Sequence, residues 1–376
     1  MARPKLAVIV GAGASYDVCP DQGPILDPRW QPPIIATIFD SPAFDSVLAR
    51  HPQADSIMSS IRTQMRSKRM TFEESLAYWM GKDDEAIKRK VLQVPIALHD
   101  YFLSVSEKYT REGINYSHLI NCTVRDGVHT AFVTFNYDTL LEQSLTKESG
   151  GKFIDVQSYV GSADYLLVKL HGSVGWGYPW IAREGFQELL HSISGNSAAL
   201  PAYRHLQHYD QSLPFVDRTQ DVPLDARVLA SFWSLPERHN SRIRCNADQS
   251  LMMGDILCYP ALALPVPEKC EFICPPQHLE ALAQFLADCE NFLFIGFSAR
   301  DDMFLNFLRK EVKAVRRFGV VTGEGEVMET VERLDEVTGL IAASEVVLGK
   351  DVFDKGFSRY MEYEIEAFVH TLKESA

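Results

Sequence analysis

Short, nearly continuous apolar runs recur along the chain, and most of them end at glycine, asparagine or histidine. The runs predict strands at Leu6–Val10, Ala131–Asn136, Leu166–Leu170, Phe292–Phe297, Gly319–Thr322 and Glu345–Leu348. Strands that are apolar throughout, rather than alternating, fit a parallel sheet covered on both faces. Helical spacing lies between them. Asp302–Phe318 sets Phe304, Phe307, Leu308, Val312 and Val315 on one stripe, with Asp301 or Asp302 as N-cap, and Leu279–Cys289 turns Leu279, Leu282, Ala283 and Leu286 inward. The pattern is that of an open α/β fold, with helices as crossovers on both faces of a parallel sheet.

Two stretches break this rhythm. Residues 30–125 are mostly helical in pattern and offer no strand; Thr71 and Glu74 there form a capping-box pair. Residues 177–250 are rich in His, Pro, Ser, Asn and Asp and lack a clear period. Both read as insertions, one helical and one irregular, within a single domain over residues 1–376. Gly323–Asp335 reads as an acidic, solvated loop and helix. Residues 353–372 close the chain as one amphipathic helix, with Phe357, Tyr360, Met361, Ile365 and Phe368 on one side. No internal repeat or low-complexity tract is present.

Composition narrows the class. With 376 residues, 46% hydrophobic and 23% charged, the chain can bury a large core. A formal net charge of −13 opposes a surface built to bind nucleic acid, so any such binding is expected through a partner. Local basic runs such as Lys88-Arg89-Lys90 read as solvated helix faces. Seven cysteines without a CxxC pair point to a reducing, cytoplasmic setting and to no metal. The apolar part of LAVIVGAGAS is only five residues, short of the roughly 7–15 of a signal peptide. No run approaches the roughly 18–20 residues of a membrane span, so no membrane role is expected.

The chemistry sits where strands end. Gly11-Ala12-Gly13-Ala14-Ser15 follows the first run, with Asp17 close behind; Thr134-Phe135-Asn136-Tyr137-Asp138 follows the second. His171-Gly172-Ser173 follows Leu166–Leu170, and Gly296-Phe297-Ser298 follows Phe292–Ile295, with Asp301 and Asp302 next. In a parallel sheet these loops face one crevice at the carboxyl edge. Each cluster taken alone has an ordinary structural role open to it: a tight turn at the glycines, turn formers at Asn136 and Asp138, a core histidine, a helix cap at Ser298 or Asp302. Those roles leave the shared position at strand ends unaccounted for. The glycine turn offers backbone N–H groups to a pyrophosphate.

Other chemistries fail on their motifs. The third glycine of GxGxxG and the acidic residue about 20 positions on are missing, and no P-loop motif exists. His171-Gly-Ser173-Val-Gly175 is one residue from a nucleophile elbow, but Trp176-Gly-Tyr-Pro-Trp180 cannot form the helix an elbow needs. Cys270 and Cys274, without further paired cysteines, read as buried thiols.

In this order the four clusters resemble the sirtuin (SIR2) family. GAGAS resembles its GAGxS pyrophosphate loop, TFNYD its TQNxD nicotinamide-pocket segment, KLHGS its catalytic HG histidine, and IGFS its G-x-S loop near the adenine-side ribose. The resemblance runs from Gly11 to about Asp302 and implies a Rossmann-like NAD-binding domain with a smaller inserted module. The chain departs from sirtuin deacylases in several places. YDVCPDQGPILD stands where their GIP-type segment would follow, Phe135 replaces glutamine, and the two zinc CxxC pairs and the acyl-lysine cleft are missing. The zinc-less pattern is closer to bacterial SIR2-like proteins of antiphage defence.

The resemblance implies an NAD+ hydrolase that releases nicotinamide and ADP-ribose and depletes the cofactor in infected cells. It implies NAD as substrate, a homo-oligomer, and a HerA-type ATPase as partner. Asn136 and His171 are the expected catalytic pair. Gly11, Ala12, Gly13, Ser15, Asp17, Asp138, Gly296, Phe297, Ser298 and Asp302 are the expected binding residues. A protein deacylase or ADP-ribosyltransferase, and a non-catalytic NAD or ADP-ribose sensor, are the competing functions.

Overall fold

A computed structural model describes residues 3–19, 28–91, 93–109, 114–153, 156–179, 230–231, 244–245, 251–253, 256–264, 272–339 and 352–374. The chain opens with β1 (Lys5–Val10) and the short α1 (Ala12–Tyr16). Helices α2 (Pro42–Leu48), α3 (Pro52–Lys68), α4 (Phe72–Met80), α5 (Glu85–Val91), α6 (Val94–Lys108) and α7 (Asn115–Ile120) follow, and α7 runs into a π-turn (Asn121–Arg125). Next come β2 (His129–Thr134), α8 (Leu140–Ser149), β3 (Tyr165–Lys169) and β4 (Gly172–Pro179). Short strands β5 (Ala230–Ser231), β6 (Arg244–Cys245) and β7 (Leu251–Met253) precede β8 (Ile256–Leu262). The last part alternates: α9 (Pro276–Leu286), β9 (Asn291–Ile295), α10 (Asp302–Glu311), β10 (Arg317–Val321), α11 (Val327–Thr338) and β11 (Val352–Phe353). Helices α12 (Gly356–Tyr363) and α13 (Ile365–Glu374) end the described chain.

The main sheet has six parallel strands in the order β11-β10-β9-β1-β2-β3. Five of its strands are buried almost end to end, as their unbroken apolar sequences require, while the two residues of β11 at the edge are half-buried. The register sets Val10 beside Thr134 and Ile295, Thr134 beside Lys169, and Ile295 beside Val321. These five strand ends are therefore level, and their loops leave from one edge. Strand order reverses between β1 and β9, the position at which an open α/β sheet opens a crevice.

The α/β class and five of the expected strands are present, each within a few residues of its predicted bounds. Glu345–Leu348 lies outside the described residues. The capping box on α4 forms as expected: Glu74 N–H donates to Thr71 Oγ1 (3.1 Å) and Thr71 N–H to Glu74 Oε2 (2.8 Å).

Three expectations need correction. The helix expected over Asp302–Phe318 ends at Glu311, where Val312 turns extended. The residues beyond it are drawn back to the sheet by the Glu290 carbonyl, which accepts from Arg316 and Arg317 N–H, so Phe318 is a buried strand residue in β10. The closing helix is two helices, α12 and α13, parted by the non-helical backbone of Glu364, although Phe357, Tyr360, Met361, Ile365 and Phe368 are all buried as the periodicity required. Most of 177–250 lies outside the described residues. Its described parts, with β4, β7 and β8, form a second, antiparallel sheet in the order β5-β4-β8-β7-β6. Strands of two or three residues carry no period that a sequence can display. Among the described residues no helix is long and apolar enough to cross a membrane.

Two core histidines make the fold sensitive to acid. His99 Nε2 donates to Val174 O (2.9 Å) and joins α6 to β4, while His278 Nε2 donates to Val156 O (2.6 Å) at the start of α9. Burial pushes both imidazoles down to about 4, from about 6.5 in the unfolded chain. Between those pH values the unfolded chain takes up protons that the folded chain refuses, so stability is full above about pH 6.5 and falls as the pH drops to about 4. The expected loss is about 3 kcal/mol per histidine over that window. Urea unfolding at a series of pH values should show that slope, and His278→Gln should flatten it by about half; an unchanged slope would refute the assignment.

Candidate functional site

The loops after β1 and β9 are locked together through backbone. Gly11 N–H donates to Ile295 O (2.9 Å) and Gly13 N–H to Gly296 O (3.1 Å). A Cβ on Gly11 would lie 2.2 Å from Gly296 O, and one on Gly296 would lie 2.2 Å from Ala14 N. Gly296 also has φ +57°, in the left-handed region. The glycines here serve close packing of one loop against the other, with the Gly11 and Gly13 N–H groups engaged in doing so. Ala12 is exposed at the top of the turn, and Ser15 is buried beneath it.

Asn136 sits at the centre of this assembly, 8% exposed. Its Nδ2 donates to Gly11 O (3.0 Å) and Ser15 Oγ (2.9 Å), with Tyr116 Oη at 3.4 Å. Ser15 Oγ and Tyr116 Oη lie 2.9 Å apart, which closes a triangle of hydroxyls and amide. Burial, with the Asp138 carboxylate adding to it, holds the Tyr116 phenol well above its usual range, so it stays a neutral hydroxyl. With both amide protons engaged, the carbonyl Oδ1 is the part of Asn136 left to meet a ligand.

His171 lies across the same edge. Its Nε2 is 2.8 Å from Asp301 Oδ2, and both side chains are about nine-tenths buried. A carboxylate only accepts, so Nε2 carries the proton and Nδ1 is the basic nitrogen. Asp301 is held in turn, because its Oδ1 caps α10 by accepting from Phe304 N–H (2.9 Å). Phe135, neighbour of Asn136, packs edge-on against His171 (4.9 Å between ring centroids) and stacks on Phe297 (4.8 Å). This aromatic wall links the two polar centres and limits how far the imidazole can swing.

A dry ion pair supports the edge from below. Lys169 Nζ is 3.0 Å from Glu142 Oε1, with the side chains 1% and 0% exposed. Lys169 also donates to Asp138 O (2.5 Å), and Glu142 accepts from Ser173 Oγ (3.4 Å) and Tyr159 Oη (3.5 Å). Burial pushes the Glu142 carboxyl up, against the opposing pull of Lys169. The pair ties β3, α8, β4 and the Asn136 loop into one unit.

The structure thus brings together Gly11, Gly13, Ser15, Asn136, Gly296, Phe297 and His171. Other predicted residues have structural partners. Asp17 takes the start of α12, accepting from Ser358 Oγ (2.6 Å) and N–H (2.9 Å). Asp138 Oδ1 accepts from Leu140 N–H (3.1 Å) at the head of α8. Ser298 is exposed, and Asp302 faces solvent paired to Arg333 (2.7 Å). Arg333 Nε donates to Ala299 O (2.6 Å), fastening a residue with φ +54° in the loop that leads to Asp301. Sequence patterns alone miss three members of the site. Asp301 is indistinguishable there from its neighbour Asp302. Tyr116 carries no signal, since it sits in a short helix remote from any motif. The third is Glu142, which looks like an ordinary helix carboxylate although its partner Lys169 stands in view as the first residue of KLHGS.

No protein-family model matches the chain, and no curated protein does. Among solved structures it is similar to a Sir2 homologue in complex with NAD, at 12% identity and TM-score 0.41, covering 99% of this chain and 90% of that one. It is similar also to a Sir2 homologue mutant in complex with ADP-ribose (12%, TM-score 0.38, 99% and 92% covered). A third is Sir2Af2 bound to a myristoylated histone peptide (13%, TM-score 0.38, 99% and 93%). At these identities and scores the likeness bears on neither substrate nor reaction, which rest on the residues themselves.

Removing one partner of the buried pair leaves the other charge without compensation. Lys169→Met is expected to cost about 3–5 kcal/mol. Lys169→Met combined with Glu142→Leu should recover most of that, measured by urea unfolding at pH 7. A single-variant loss below about 1 kcal/mol would mean that water reaches the pair and screens it.

Proposed function

We propose that the chain hydrolyses NAD+ at the nicotinamide–ribose bond, giving nicotinamide, ADP-ribose and a proton. The observation that carries this reading is the arrangement at the β1/β9 switch point: an asparagine clamped by the glycine loop, and a histidine oriented by a carboxylate, on one sheet edge. These positions coincide with the four motifs that resemble sirtuins.

Breaking that bond develops positive charge on the ribose in an oxocarbenium-like state. Asn136 Oδ1 accepts a hydrogen bond from the carboxamide of the leaving nicotinamide or from the attacking water. His171 takes the proton, from a ribose hydroxyl or from that water, through Nδ1. Asp301 holds the ring and stabilises the imidazolium that results. Phe135 and Phe297 wall the site with apolar surface and keep bulk water from His171. Ala12, exposed on the turn, and Ser298, exposed on the opposing loop, are the residues placed to touch the dinucleotide. No acyl-lysine is required, so water captures the ribose cation.

The wider reading follows from the same resemblance. Unregulated loss of NAD+ would poison the cell, so the enzyme is held idle until an infecting phage triggers it. A homo-oligomer assembled with a HerA-type ATPase is the arrangement that would supply such control. Co-purification with an ATPase encoded beside it checks the partner.

Purified wild type should release nicotinamide from NAD+, and Asn136→Ala and His171→Ala should each lower the rate by at least about 10²-fold while remaining folded. Asp301→Asn, which keeps a hydrogen bond but favours the other tautomer, should lower turnover more than it alters KM. Turnover that depends on an acetyl-lysine peptide and yields O-acetyl-ADP-ribose would replace hydrolysis by deacylation. Tight NAD+ binding without product, with the ATPase present, would make the chain a sensor.

A further inference from the structure

A second group of chemically capable side chains lies away from the crevice, where the C-terminal helix crosses the π-turn. His118, near the end of α7, and Cys122, in the π-turn, are four residues apart and share a face. Glu366, in the first turn of α13, meets them from the other element. One ligand-type atom from each, imidazole nitrogen, thiol sulfur and carboxylate oxygen, lies within 4.8 Å of the others. None of the three side chains has a hydrogen-bond or ion-pair partner among the described residues. Neighbouring charges are occupied elsewhere: Asp126 pairs with Lys373, and Arg125 with Glu148 (3.8 Å).

We infer that His118, Cys122 and Glu366 form a binding site for a borderline divalent cation of the Zn2+ type. The donor set decides the class. Calcium and magnesium take oxygen ligands, whereas a thiolate, an imidazole and a carboxylate together suit Zn2+ or Co2+. Metal–ligand bonds of about 2.0–2.3 Å put tetrahedral ligand atoms about 3.5 Å apart. The observed spacing therefore needs only an inward rotation of side chains, none of which is fully buried. Three protein ligands leave a fourth position for water. Such a bond would staple α13 to α7, two residues from Tyr116, whose hydroxyl rests on Ser15 and Asn136. This inference is independent of the reaction assigned to the crevice.

Cobalt is the probe. After treatment with a chelator, the full chain is titrated with Co2+ and followed by absorbance, then back-titrated with Zn2+. The expected result is a thiolate-to-cobalt charge-transfer band and tetrahedral d–d bands that saturate at one equivalent and vanish on adding Zn2+. The charge-transfer band should be lost in Cys122→Ser, and Glu366→Gln should bind at least about tenfold more weakly. Zn2+ should raise the Tm of the wild type and leave that of Cys122→Ser unchanged. Metal-free Glu366→Gln should melt with the wild type, because Glu366 is exposed. Cys122 also packs against the core, so its variant is judged by the Zn2+-induced change in Tm rather than by the metal-free value. No charge-transfer band in the wild type, or one that persists in Cys122→Ser, would overturn the assignment.

Discussion

The close approach of the β1 and β9 loops is the constraint on which the rest of the crevice depends. With backbone atoms where side chains would ordinarily separate them, Gly11, Gly13 and Gly296 let two strand ends be joined by hydrogen bonds beyond the sheet itself. Both polar centres inherit their positions from that junction. Gly11 O anchors the Asn136 amide on one side. On the other, the chain leaves Gly296 through Phe297 and the left-handed Ala299 to reach Asp301, which orients His171. An alanine in the left-handed region costs about 1 kcal/mol. It persists because Arg333 grips its carbonyl and because the loop has little slack between Gly296 and the cap of α10. Strain in this loop is thus the consequence of aiming one carboxylate at one imidazole.

Below that junction the Lys169–Glu142 pair plays a different part. Desolvating two charges offsets most of what their attraction returns, so the pair is weak as a source of stability. Its value lies in geometry. A lysine at the end of β3 that must reach both a helix carboxylate and the Asp138 carbonyl permits only one placement of the Asn136 loop against α8. An apolar pair of equal volume would pack there without dictating that register. Specificity of loop placement is the reason we assign to the retention of charge in so dry a position.

The main sheet is legible in the sequence because its strands are buried on both faces, and a short unbroken apolar run bounded by turn residues fits little else. The shared edge is legible because each run ends in a cluster that a turn alone does not require. Helix ends are less so: α10 stops where the Glu290 carbonyl recovers the chain for β10, a tertiary bond that local periodicity does not encode. The antiparallel sheet is hidden for a related reason, since strands as short as β5 and β6 are defined by their partners rather than by their own pattern. Within the site, motifs announce the residues at the strand ends but not those that act through tertiary contact. Tyr116 and Glu142 reach the site only because α7 and α8 are folded against it. Asp301 and Asp302 look alike in the sequence; in the structure Asp301 caps α10 and bonds His171, whereas Asp302 faces solvent and pairs with Arg333.

Helix α7 shows how closely the crevice and the C-terminal helices are coupled. Asn115 Nδ2 donates to Asp17 O and to Ser358 Oγ (2.8 Å each), and so joins the glycine-turn helix to α12. The next residue, Tyr116, reaches Ser15 and Asn136. Two residues further on, His118 stands opposite Glu366 of α13. One short helix therefore touches the glycine turn, the central asparagine and both closing helices. Gly356 makes the junction tighter still, with φ +85° and room only for hydrogen beside the Asp17 carboxylate. A helix as short as α7 has little stability of its own, so its placement is set by these contacts rather than the reverse. It follows that α12 cannot shift without either breaking the Asn115–Ser358 bond or carrying α7, and with it the support of Asn136.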